Sequence, residues 1–260
     1  MLKIAAITLI LSTTAVHAQG VASFSQVRIV PGYMTDTGQY LAGVEIDMEP
    51  GWKTYWRQPG EGGIPPIFDW SGSSNVISAQ VEWPIPEVFE TYGLRSIGYK
   101  TRVVFPVLFE VIDRDADTAL NLSLSYGLCS DICIPANSEA SVDVTIDQPQ
   151  NMPLLQQARQ NTTVDATGVS ADCEIVPAAD AWRLDTVISA EALSPDMVAV
   201  FETNDPNLWI GTPDAVEQGA GLLFSAPMDW FGAGAFALSR DDVRITLIRS
   251  GISAVELTGC

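Results

Sequence analysis

Two runs of strict alternation, separated by a pair of cysteines, do most to limit how this chain can fold. Before the pair, Leu120, Leu122, Leu124 and Tyr126 alternate with Asn121, Ser123 and Ser125; after it, Ala140, Val142, Val144 and Ile146 alternate with Ser141, Asp143 and Thr145. A period of two is the signature of a half-buried strand. The intervening Gly127-Leu128-Cys129-Ser130-Asp131-Ile132-Cys133-Ile134-Pro135 therefore lies at a strand–loop–strand turn at the end of a sheet. Fully extended chain would hold the Cα atoms of Cys129 and Cys133 roughly 13 Å apart. A disulfide needs roughly 4.4–6.8 Å, so the chain must fold back between them, and Gly127 and Pro135 suit such a reversal.

The N-terminus reads as a secretory signal. Lys3, the apolar run from Ile4 to Val16 and the small residues of Val16-His17-Ala18 make residues 1–18 a signal peptide, too short for a convincing membrane span. No other stretch approaches about 18 apolar residues, so no stable membrane insertion is expected, and no lipobox-style cysteine points to an acyl anchor. The expected destination is the periplasm, an oxidising compartment. Loss of the signal also removes His17, the one histidine. That excludes Ser-His-Asp and Cys-His catalysis and histidine-ligated metal. With 13 basic and 32 acidic residues, and Lys3 leaving with the signal, the mature charge is 12 − 32 = −20. Such a chain repels nucleic acid and anionic lipid headgroups.

From Phe24 to about Ile146 the pattern is rich in strands, with Gln26–Val30, Gln39–Met48 and Thr101–Ile112 the clearest. Pro106 in the last implies an edge or a bulge. The stretch from Pro50 to Pro66, crowded with Gly and Pro, reads as a loop. Short strands with turn signals and no strong helical period predict an all-β protein built as β-sandwiches. The expected organisation is a first sandwich over residues 19–148, a linker over 149–168 with a short helix from Leu154 to Gln160, and a smaller sandwich over 169–260. Four cysteines allow three pairings. Pairing 129 with 133 and 173 with 260 keeps each bond within one sandwich. A structural Cys173–Cys260 bond would tie the second sandwich's ends together, stabilising it by around 4 kcal/mol in the chain-entropy model.

The close pair admits three readings. As a staple it closes too small a ring to gain much entropy; as a redox couple it sits where a partner can reach it; as a soft-metal site its two thiolates would hold Cu(I). Asp131 between the sulfurs, the acidic setting and the missing imidazole are expected to raise a thiol pKa. The reduced pair would then be sluggish alone, fit for a relay that reacts inside a complex. Asp131 is either a proton acceptor during exchange or an exposed loop carboxylate.

Three stretches carry a resemblance. Tyr126 to Pro135 resembles the active-site loop of the N-terminal periplasmic domain of the DsbD and ScsB thiol:disulfide interchange proteins. Gly51-Trp52-Lys53-Thr54-Tyr55-Trp56-Arg57 is similar to that family's aromatic segment beside the site, and Phe89 to Tyr99 is similar to the region holding its cap loop. The spacing of the cysteines favours the ScsB-like side, associated with copper tolerance and oxidative stress. The resemblance implies immunoglobulin-like sandwiches, a catalytic Cys129/Cys133 couple with no other cofactor, and Cys133 as the sulfur that forms mixed disulfides while Cys129 resolves them. It also implies Trp52, Tyr55, Trp56, Tyr92 and Asp131 as the site's surroundings and cap. The implied partners are periplasmic thioredoxin-fold proteins and, since this sequence shows no membrane or thioredoxin domain, a separate membrane electron transporter of the CcdA or DsbD-beta type. The alternative is a non-catalytic Cu(I)-binding or partner-docking module with a structural disulfide.

Overall fold

Alternating residues become strands, and the strands stack as two pairs of sheets. A computed structural model describes residues 24–91, 93–178, 182–190, 193–234 and 237–260; the signal-peptide reading over 1–18 and the cap residue Tyr92 lie outside the described residues. In chain order the first half holds β1 (Ser25–Met34), β2 (Tyr40–Met48), β3 (Lys53–Gly60), β4 (Ile67–Asp69) and β5 (Val76–Val81). These are followed by β6 (Glu87–Thr91), β7 (Leu94–Lys100), β8 (Arg102–Val111), β9 (Thr118–Cys129) and β10 (Cys133–Val144). One sheet runs β1-β2-β8-β5 and the facing one β10-β9-β3-β7-β6, with β4 also on β9. Between them lie Trp56, Phe105, Phe109, Leu124, Tyr126 and their neighbours, fully buried. Phe105 is the hub, meeting Phe68, Trp83 and Tyr99 edge-on at ring distances of 5.2–5.6 Å, a favoured aromatic geometry.

Two local expectations are corrected. The Pro50–Pro66 stretch is not all loop: Lys53 to Gly60 forms β3, paired with β7 from Lys53 to Tyr55 and again at Gly60. Its aromatic half has strand propensity, and Pro59 falls inside the break in the ladder, where it withholds no bond. β8 is neither an edge nor bulged at Pro106, since β2 and β5 flank it. The Pro106 carbonyl accepts the Glu82 amide at 2.8 Å. Its missing N–H therefore faces the side on which β5 has already ended at Val81.

Helix α1 (Met152–Gln160) buries Leu155 against Val30, Leu41 and Leu108, on the outside of the first sheet. Beyond it come β11 (Val164–Asp165), β12 (Ser170–Pro177), β13 (Trp182–Ser189), β14 (Val198–Glu202), β15 (Leu208–Ile210), β16 (Ala215–Gln218), β17 (Gly221–Trp230), β18 (Arg244–Arg249) and β19 (Ser253–Thr258). They form sheets β11-β19-β18-β14 and β12-β13-β17-β15, with β16 on β17. The fold is all-β, two immunoglobulin-like sandwiches. Cys173 is bonded to Cys260, with Cα atoms 5.4 Å apart. Val198, Val200, Ile248 and Ala254 of the second sandwich join the buried cluster of the first, so the two share an apolar seam.

Candidate functional site

The hairpin β9–β10 is in register along its whole length, and its last pair is Cys129 opposite Cys133. Ser130, Asp131 and Ile132 make the turn, with the Ser130 amide donating to the Ile132 carbonyl at 3.0 Å. A disulfide closes the pair, its Cα atoms 4.1 Å apart. Leu128, Tyr126 and Leu124 face the core, so Cys129 and Gly127 face outward. The two cysteines differ: Cys129 is 3% exposed, whereas Cys133 is open to solvent.

Tyr55 covers this outer face. Its hydroxyl lies 3.1 Å from the Cys133 Sγ and 3.3 Å from the Gly62 carbonyl. A disulfide sulfur carries no proton, so the Tyr55 O–H is the donor to either acceptor. The ring fits because Gly127 and Gly63 lack side chains. A Cβ on Gly127 would come within 2.8 Å of the ring and of Ile64, and one on Gly63 within 2.6 Å of the ring. Thr54 donates from Oγ1 to the Gly127 carbonyl at 2.8 Å and ties β3 to the hairpin. Burial pushes the Tyr55 phenol above its ordinary range, so it remains a proton donor at neutral pH.

Of the four aromatic residues expected around the site, Tyr92 lies outside the described residues, and of the other three only Tyr55 reaches a sulfur. Trp56 is wholly buried in the core, and Trp52 stacks on Phe24 with ring centroids 4.3 Å apart. Asp131 is exposed at the turn.

Sequence reasoning passed over Lys53, which sits directly across from Cys129 on the same face, with Lys100 across from it on β7. Both ammonium groups lie over the Phe89 ring, at 4.5 and 5.7 Å from its centre, and Lys100 also pairs with Glu87 at 2.5 Å. Burial, then the Lys100 charge, lowers the Lys53 pKa. A signal was present: apart from Lys3, these are the only lysines in the sequence. Exposed apolar residues stand nearby, Ile132 at the turn, Ile64 against Gly127, and Leu94 beside Gly62. Among the described residues, no group of three or more His, Cys, Asp or Glu is placed to hold a metal ion, and no helix is long and apolar enough to cross a membrane.

The arrangement offers one exposed cysteine, one buried cysteine and a phenolic donor against the exposed one, which suits thiol–disulfide exchange. A family comparison agrees on the class, and a solved structure on the fold. Residues 25–145, just under half of the chain, match the family model "Thiol:disulfide interchange protein DsbD, N-terminal". The solved N-terminal periplasmic domain of ScsB from Proteus mirabilis is similar in fold, with a TM-score of 0.64 at 23% identity, covering 90% of this chain and 91% of that one. No curated protein matches. The first sandwich of this chain, residues 25–145, thus belongs to the DsbD N-terminal domain family of thiol:disulfide interchange proteins.

Proposed function

We propose that the protein is a periplasmic electron relay in which Cys129 and Cys133 cycle between disulfide and dithiol. The observation that carries this reading is the unequal exposure of the two cysteines, with the open one in contact with a phenolic donor. A thiolate of a membrane electron transporter attacks the Cys133 Sγ; the S–S bond breaks and Cys129 leaves as a thiolate. The transporter's second thiol then attacks the mixed disulfide, so the transporter becomes oxidised and the pair reduced. In the forward half, the Cys133 thiolate attacks the disulfide of a thioredoxin-fold protein. Cys129 resolves the mixed disulfide, returning the pair to the oxidised state and releasing the partner as a dithiol.

Two further features support the reading. The apolar residues Ile132, Ile64 and Leu94 around Cys133 give a protein partner a surface to exclude water from. The Tyr55 hydroxyl can turn from the Gly62 carbonyl to the sulfur once a thiolate forms, a charge-assisted hydrogen bond.

The test is capture. Cys129→Ala removes the resolving thiol, so Cys133 is expected to accumulate as a mixed disulfide with a thioredoxin-fold protein in periplasmic extracts. Recovery of no such adduct, with Cys133 shown to be alkylated freely, would sink the relay.

A further inference from the structure

The second sandwich meets the strands around the redox site at two arginines, and Arg95 is the one whose backbone leads on to the loop behind Tyr55. Arg95 lies on β7, its side chain 15% exposed. Its Nη1 donates to the Thr212 carbonyl at 2.8 Å and its Nη2 to the Asp214 carboxylate at 2.7 Å, both on the second sandwich, with Glu90 of the first at 3.4 Å. The backbone of the same residue holds the loop after β3. The Glu61 amide donates to the Arg95 carbonyl at 2.9 Å, and the Arg95 amide donates to the Glu61 carboxylate at 3.1 Å. Gly60, at φ +79°, passes so close to the Arg95 carbonyl that an added Cβ would lie 2.5 Å from it. The next residue in the loop, Gly62, accepts the hydroxyl of Tyr55, which touches Cys133.

A continuous set of hydrogen bonds and peptide links therefore runs from Thr212 and Asp214 through Arg95, Glu61 and Gly62 to Tyr55 and the Cys133 sulfur. We infer that the second sandwich is a brace for the redox site, with Arg95 as the positioning residue that fixes the loop behind Tyr55. The seam beside it is hydrogen-bonded at several further points. Arg57, on the strand that carries Tyr55, is clamped by Glu202 at 2.8 Å, by Thr246 at 3.2 Å and by Glu256. Two backbone-linked contacts extend the seam: the Val88 amide donates to Ser250 Oγ at 2.8 Å and the Gly251 amide to the Pro86 carbonyl at 2.9 Å. Coupling of this sort is carried by contiguous packed and hydrogen-bonded groups, and here the hydrogen bonds along the path run from 2.7 to 3.3 Å.

The inference rests on exchange at Cys133 only for its biological meaning; its test reads the disulfide directly. Asp214 is 75% exposed on its side chain, so Asp214→Lys does not threaten the fold, yet it sets a like charge against the Arg95 guanidinium. In the full chain, reduction of the Cys129–Cys133 bond by dithiothreitol is expected to speed up about two- to fivefold, the ratio matching an exposed ion pair. In a Cys129→Ala background, the pH midpoint for alkylation of Cys133 is expected to rise as Tyr55 loses its fixed position. That shift is one a purely structural tie would not produce. Arg95→Ala is expected to do the same, and Glu90→Gln, which spares both second-sandwich contacts, to leave rate and midpoint unchanged. Unaltered rate and midpoint in Asp214→Lys overturn the brace. If wild-type protein fails to exchange with a reduced thioredoxin while Asp214→Lys still alters both readings, the relay falls and the brace stands.

Discussion

Replacing Tyr55 by Phe isolates the phenolic proton from everything else the ring does. The ring stays between Gly63 and Gly127, while the hydroxyl 3.1 Å from Cys133 and 3.3 Å from the Gly62 carbonyl is lost. A hydrogen bond to an ionised partner contributes about 1.5–3 kcal/mol, and Cys133 is exposed, so competing water favours the lower end. At about 1.4 kcal/mol per unit, the Cys133 thiol pKa is expected to rise by about one unit. At neutral pH the thiolate fraction then falls about tenfold. A Brønsted coefficient of about 0.4–0.5 returns about threefold through greater nucleophilicity, leaving exchange about threefold slower. The assay is the pH dependence of Cys133 alkylation by iodoacetamide in Cys129→Ala, with and without Tyr55→Phe. Coincident profiles would refute a role for the hydroxyl at the sulfur, because the substitution leaves the cover over the hairpin in place.

Gly127→Ala tests the cover itself. Its Cβ would stand 2.8 Å from both Tyr55 and Ile64, so a cost of about 1–3 kcal/mol is expected from overpacking, together with faster reduction by dithiothreitol; an unchanged urea midpoint would show that the outer face is looser than described. High pH tests the buried phenols. Burial raises the pKa values of Tyr40, Tyr55 and Tyr99 above 10, that of Tyr99 well above. Their contribution is fully present below the unfolded value and is lost as pH rises from about 10 through the folded values. Urea midpoints are therefore expected to hold steady to about pH 9.5 and then fall; a flat profile to about pH 11 would contradict the desolvation of these phenols.

The β9–β10 hairpin is legible in the sequence because everything it needs is local: strict alternation on both sides and turn formers at the reversal. The all-β class is legible for the same reason. β3 is not, since Gly60, Pro59 and the glycines after them mask a strand whose first half is aromatic and paired to β7 far along the chain. Pro106 misleads for a related cause: whether a missing donor matters depends on where a neighbouring strand ends, which no local pattern records. Within the site, the cysteines are visible as a motif, but the separation of Tyr55 from Trp52 and Trp56 is decided by strand phase. Tyr55 faces outward over the hairpin and Trp56 inward to the core, and one residue of register would exchange them.

The electrostatics of the pair look different once the sheet is in place. Judged from Asp131, the acidic total and the missing imidazole, a thiol here should be poorly activated. The chain carries 32 acidic residues and, apart from Lys3, two lysines, yet both lysines lie on the face that carries the disulfide. Like charges directly opposite each other are unfavourable in a sheet, and burial and Lys100 together lower the pKa of Lys53. The Phe89 ring beneath both ammonium groups and the Glu87 carboxylate on Lys100 offset that cost. A protein this acidic has many exposed positions where lysines would stabilise it by ordinary pairing. Both instead start from the sheet face that carries the disulfide and gather over Phe89 and Glu87 on β6. Because β6 lies beyond β7 on the side away from the hairpin, the two ammonium groups gathered over its Phe89 ring are drawn away from the sulfurs, and the polar contact at the open cysteine is the Tyr55 hydroxyl.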